Sequence, residues 1–139
     1  MAQKITVETR VPVSQEAAWD AYTSPEEITK WNFASPDWHC PNASVDLRVG
    51  GQHSARMEAK DGSMGFDFAG TYEVVEKPQS LALRLGDGRL SRTSFEKDEG
   101  GTIIRTSFDV EAANDPEMQR AGWQAILDNY ADYVTRKPR

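Results

Sequence analysis

Apolar and polar residues alternate from the start of the chain. Ile5, Val7, Thr9 and Val11 fall on one side of an extended segment, the pattern of a half-buried strand. After Pro12, Ser14 is placed to cap a helix carrying Ala17, Ala18, Trp19 and Tyr22. Ser24-Pro25-Glu26-Glu27 then supplies a capping serine, a proline at the first helical position, and a glutamate able to bond back to the cap. That predicts a short second helix ending near Trp31. The stretch 32–42, NFASPDWHCPN, has two prolines and no period, and reads as a loop.

From 43 to 110 the chain reads as strands punctuated by turns. Val45, Leu47 and Val49 alternate up to Gly50-Gly51, and residues 52–59 lead into Asp61-Gly62. Phe66, Phe68, Gly70, Tyr72 and Val74 share one face of the next run. Lys77-Pro78 turns the chain into Leu81, Leu83 and Leu85, Asp87-Gly88 marks another hairpin, and Gly100-Gly101 separates strands at about 89–97 and 102–110. Such short connections favour antiparallel neighbours. Asp115-Pro116 opens a long helix to about residue 135, with Arg136, Lys137 and Pro138 as its stop. Its apolar residues, from Met118 through Trp123, Ile126 and Tyr130 to Tyr133, span an arc of roughly 200°, wider than the ~100° stripe a surface helix needs. The expectation is one α+β domain over residues 1–139, in which a curved antiparallel sheet of about seven strands wraps that helix.

Composition narrows the partners. The chain has 139 residues, 38% hydrophobic and 27% charged, with a net charge of −6. It is too apolar for a disordered chain, and it has no basic face for nucleic acid or an anionic membrane surface. No segment has the apolar length of a membrane span and the N-terminus lacks a signal-peptide run, so the cytoplasm is expected. Cys40, the one cysteine, has no partner for an internal disulfide.

The order of elements is that of the helix-grip fold. Val13 to Trp19, Pro25 to Trp31, DLRVGG at 46–51, Asp61-Gly62, Phe68-Ala69-Gly70-Thr71-Tyr72, and Gly122-Trp123 followed by Leu127 resemble the START-like (SRPBCC) superfamily. Within it, the chain is similar to the group named for the C-terminal domain of Hsp90 ATPase activator homologues, often labelled polyketide cyclase-like. The resemblance implies a hydrophobic cavity between sheet and helix, ligands from sterols to polyketides, and no shared catalytic set.

The residues suggest where that cavity lies. Met57, Phe66, Phe68, Tyr72, Leu81, Leu83, Phe95, Ile104 and Phe108 face inward on the strands, as core or as wall. The inner arc of the last helix, which includes Ile126, has a bulky side, with Trp123, Leu127 and Tyr130, and a thin one, with Gly122, Ala125 and Asn129. A glycine inside a helix costs about 1 kcal/mol against alanine, which points to close backbone approach or to space left open. The aromatic loop from Trp31 through Trp38 to Cys40 reads as a plug at one end of the sheet or as a lid with His39 and Cys40 facing in. His53 shares a face with Ala55 and Met57 and is the named catalytic candidate, because histidine moves protons near neutral pH, with a tyrosine as the alternative. Arg48, Arg56, Glu58 and Asp67 are expected outside, although an inward arginine could anchor a carboxylate.

Other chemistries fall away. His39, Cys40 and His53 are not spaced like a zinc site, Gly62-Ser63-Met64-Gly65 misses the nucleophile elbow, and neither Gly-Gly pair precedes a helix. No metal and no cofactor is expected. The first reading is binding of a small hydrophobic or amphipathic molecule, with a homodimer left open. The alternatives are a polyketide cyclase or aromatase using the same cavity and a chaperone-interaction module.

Overall fold

The structure, a computed structural model, describes residues 4–111 and 115–137. Pro138, expected to help stop the last helix, lies outside the described residues. The elements run β1 (Lys4–Val11), α1 (Gln15–Thr23), α2 (Pro25–Trp31), β2 (Trp38–His39), β3 (Ala43–Val45), β4 (Gln52–Ala59), β5 (Gly65–Glu76), β6 (Ser80–Leu85), β7 (Leu90–Asp98), β8 (Gly101–Asp109) and α3 (Pro116–Arg136). The strands form one antiparallel sheet in the order β1-β8-β7-β6-β5-β4-β2, with β3 also paired to β4. It curls into a half-barrel around the C-terminal helix.

Local chemistry accounts for most boundaries. Ser14 accepts a hydrogen bond from the Ala17 amide at 3.1 Å and starts α1, and Asp115 accepts one from Glu117 at 2.9 Å and starts α3. The expected capping box of α2 does not form. Ser24 makes no side-chain cap bond, and Glu27 instead accepts hydrogen bonds from the Tyr133 hydroxyl of the distant α3 at 3.0 Å and from Lys137, which caps that helix. A long-range docking contact has replaced the local one.

Three strand expectations are corrected. β3 ends at Val45; residues 46–49 turn sharply, the Gly51 amide bonding Arg48 O at 2.8 Å, and Val49 is left 65% exposed. Gly51 sits so close to the Asp46 carbonyl that a Cβ has no room. Trp38–His39, read as loop, pairs with Ala59 and Glu58. In β5 the register shifts between Tyr72 and Val74, so Val75 pairs with the inward Leu81 while Val74 pairs with Ala82 on the other face. The extra residue is Glu73, gripped by Arg84 through two bonds of 2.8 and 3.1 Å.

The solid part of the interior lies under α1 and α2. Trp19 meets Phe95 edge-on at 5.3 Å, and Tyr22, Trp31 and Tyr130 pack together at 5.1 to 5.4 Å. The Tyr130 hydroxyl donates to Ala18 O at 2.6 Å, joining α3 to α1. α3 packs along β1 and against α2 and α1. Arg120 and Gln124 donate to the carbonyls of Thr6 and Glu8 at 3.2 and 3.0 Å, which covers the free edge of the sheet. The wide apolar arc is only partly wrapped: Leu127, Tyr130 and Val134 are buried, but Met118 is 73% exposed. By leaning on β1, the helix stands away from β4 to β6.

Candidate functional site

Between α3 and the far half of the sheet lies a cavity of about 460 Å³. Cross-strand pairing arranges its wall in ranks. Met57 pairs with Phe66, then Ala55 with Phe68, then His53 with Gly70 and Leu85. Deeper, Tyr72 pairs with Leu83 and Leu83 with Ser91, and deepest, Leu81 pairs with Thr93 and Thr93 with Thr106. Phe66 is 48% exposed and meets Trp38 at 6.0 Å, which marks the mouth. Tyr22 and Trp31 close the floor from the helices. On the helix side Trp123 stacks on Phe108 at 4.1 Å and 11° and meets Phe68 edge-on at 5.9 Å.

Gly122 lies in this wall, and a Cβ built on it meets nothing within 4 Å. Of the two reasons for an interior helical glycine, close approach and open space, the geometry gives the second.

Of the residues singled out from sequence, Trp31, Trp38, His53, Met57, Phe66, Phe68, Tyr72, Gly122, Trp123 and Ile126 all line the cavity. His39 and Asn129 do not. His39 follows the inward Trp38 on β2, so alternation turns it outward, where Nε2 lies 3.6 Å from Glu58 Oε1 and the side chain is 42% exposed. Asn129 faces α2 rather than the void, its amide donating to Trp31 O at 2.9 Å and more weakly to Phe33 O at 3.5 Å. It fastens the start of the aromatic loop to α3. Asn129→Ala is expected to cost about 0.5–1.5 kcal/mol in urea unfolding, the net worth of one hydrogen bond, since Trp31 O keeps the Phe33 amide at 2.8 Å; unchanged stability would show the loop to be held elsewhere. Cys40 is buried off the cavity with its thiol on Asn42 O at 3.4 Å, and burial pushes its pKa up.

Sequence reading missed the polar part of the wall. Ser91, Thr93 and Thr106 occupy inward positions of β7 and β8, beside the phenol of Tyr22. The one trace in the sequence is that these hydroxyls share strand faces with Phe95, Ile104 and Phe108, a pattern that ordinary strand residues also give. Thr93 Oγ1 lies 2.9 Å from Thr106 Oγ1 and 3.4 Å from the Tyr22 hydroxyl. On the opposite wall His53 Nδ1 lies 3.3 Å from the Tyr72 hydroxyl. Desolvation lowers the His53 pKa to about 4, which keeps the imidazole neutral at pH 7, and it raises the Tyr72 and Tyr22 phenols well above their usual value. Among the described residues that line the cavity, Arg89 and Glu111 carry the charge. Arg48 and Arg56 are turned outward onto Asp46 and Glu58, both at 2.9 Å. Among the described residues no three His, Cys, Asp or Glu side chains are arranged to hold a metal ion, and no helix is long and apolar enough to cross a membrane.

A half-barrel of strands gripping a terminal helix over a void of this size defines a START-like, helix-grip protein. The chain belongs to the family described as Activator of Hsp90 ATPase homolog 1-like protein, whose model matches residues 12–135. It is similar to the solution structure of an AHSA1-like protein from Aeromonas hydrophila, with 42% identity, 99% of each chain covered and a TM-score of 0.90. It is also similar to Chr148 from Cytophaga hutchinsonii, with 44% identity, 94% of this chain and 91% of that one covered, and a TM-score of 0.82. CV1439 from Chromobacterium violaceum, at 20% identity, 97% and 99% coverage and a TM-score of 0.84, shares the fold. Among proteins with curated functions, none matches.

Proposed function

We propose that this protein binds a small hydrophobic or amphipathic molecule in the cavity between the sheet and α3. The observation that carries the reading is the void itself. At about 460 Å³ it lies within the range of roughly 300–1,000 Å³ usual for small-ligand sites. Aromatic side chains are spent on its walls while Gly122 leaves it open, at a cost in helix stability that plain packing gives no reason to bear. Burial of apolar ligand surface, at about 25 cal/mol per Å², supplies the affinity, and a few polar groups orient the ligand.

Native mass spectrometry of the protein purified from its own cells tests this. The expected result is a fraction carrying one non-covalent small molecule, released by mild collisional activation. A protein that is always bare and takes up no apolar probe in titration would refute it.

A second reading is favoured by the His53–Tyr72 contact, which sets a neutral imidazole beside a phenol inside the cavity, as proton transfer on a folded polyketide chain requires. In that case His53→Ala lowers turnover with little loss of binding. The family's description adds action on the ATPase of an Hsp90-class chaperone, which stimulation of such an ATPase by the purified chain would establish.

A further inference from the structure

The polar groups of the cavity can be counted as donors and acceptors. Tyr22, Thr93 and Thr106 are three hydroxyls in contact, and Thr106 also faces the Tyr22 phenol, so the three can satisfy one another. The His53–Tyr72 pair cannot. A neutral imidazole and a phenol hold two exchangeable protons, and their one contact, at 3.3 Å, uses one of them. If the phenol donates to Nδ1, the spare proton sits on Nε2; if Nδ1–H donates, it stays on the phenol. Among the described residues neither group has another hydrogen-bond partner, and no buried side-chain nitrogen or oxygen is left unsatisfied. With the phenol donating, the unpartnered Nε2 is not fully buried and its proton is open to the cavity; with Nδ1–H donating, the spare proton sits on a phenol whose residue lines the same cavity.

What could accept it is limited by charge. Arg89, the one cation in the lining among the described residues, is three strands away in the same rank, since Leu85 and Gly70 stand between it and His53. Its Nε is committed to Asp87 at 2.7 Å. A carboxylate brought to His53 would lose its hydration without meeting a cation, which is a far larger penalty than one hydrogen bond returns. A hydrocarbon end would leave the proton unpaired.

We infer that the ligand of this cavity is uncharged and leads with a hydrogen-bond acceptor, a ketone, ester or quinone carbonyl, seated against the spare proton of the His53–Tyr72 pair. The inference rests on the cavity being a binding site, and the matched series below separates the failure of one from the failure of the other. Isothermal titration at pH 7.5 compares 2-acetylnaphthalene, 2-ethylnaphthalene and 2-naphthoate, which share one ring system and differ at the leading group.

The ketone is expected to bind about tenfold more tightly than the ethyl compound, the worth of one hydrogen bond to a buried donor, with the carboxylate at least about tenfold weaker than the ketone. In the doubly substituted His53→Leu/Tyr72→Phe protein, checked for cooperative unfolding, the ketone's advantage shrinks to within about threefold. Equal affinity for the ketone and the ethyl compound in the native protein, or a carboxylate as tight as the ketone, overturns the inference and leaves the binding site standing. Failure of all three probes to bind overturns the inference, and in a protein that is also bare when purified from its own cells it overturns the binding site as well. The native protein's selectivity is decisive even if the double variant does not fold.

Discussion

Gly122→Phe is expected to weaken binding of an apolar probe such as 2-ethylnaphthalene by roughly 70-fold while leaving the protein at least as stable as before. Stability follows from the helix. Glycine is the poorest ordinary residue in a helix interior and phenylalanine is better by a few tenths of a kcal/mol. The added Cβ meets no atom within 4 Å, so no neighbour has to move. Helical side chains lean towards the N-terminus, which carries the ring back over Met118 and Gln119, both at the cavity wall. A ring placed there takes about 100 Å² of apolar contact from the ligand, or about 2.5 kcal/mol. Probe titration beside thermal unfolding reads both halves. Unaltered affinity in a folded variant would place the ligand somewhere other than beneath α3.

Physical range explains which features were legible in the sequence. The caps at Ser14 and Asp115 and the turns at Asp61-Gly62 and Asp87-Gly88 each depend on a few neighbouring residues, and each stands in the structure where the pattern put it. The alternation in β4 placed His53 and Met57 inward correctly for the same reason. What failed was set from far along the chain. Nothing near Ser24 says that Glu27 will be taken by Tyr133 and Lys137, more than a hundred positions later. The shift at Glu73 changes the phase of alternation, and a period of two carries no warning of an inserted residue; the Arg84 that holds Glu73 lies on the next strand. His39 was lost because two residues are too few to show a period, and their facing became definite only on pairing with Ala59 and Glu58.

The cavity was half legible. Its apolar wall was visible as inward aromatic residues, and its emptiness was hinted at by Gly122. Its polar lining was not, because threonine and serine on an inward face look in sequence like ordinary strand residues. Arg89 escaped for a related reason: the inward arginine stands at the end of a hairpin, beside Asp87, where a surface charge is the usual expectation.

The second large effect concerns acid. His53 is half-buried, and desolvation lowers its pKa from 6.5 to about 4 because the charged imidazole would lose much of its hydration. The folded-state value is the depressed one, so the unfolded chain takes up a proton near pH 6.5 while the folded protein refuses it until near pH 4. The stability that goes with neutral His53 is therefore complete above pH 6.5 and is lost as the pH falls through that window. The loss amounts to about 1.4 kcal/mol by pH 5.5 and about 3 kcal/mol by pH 4. Urea unfolding of the native protein and of His53→Gln at pH 7, 5.5 and 4 isolates it. Carboxylates such as Asp98 and Asp109, held below their usual range by Arg10 and Lys4, titrate in both proteins and cancel in the difference. The native protein should lose about 3 kcal/mol more than the variant over this range. Parallel losses would mean that His53 is hydrated in the folded state, and a hydrated His53 would have no proton to reserve for a ligand.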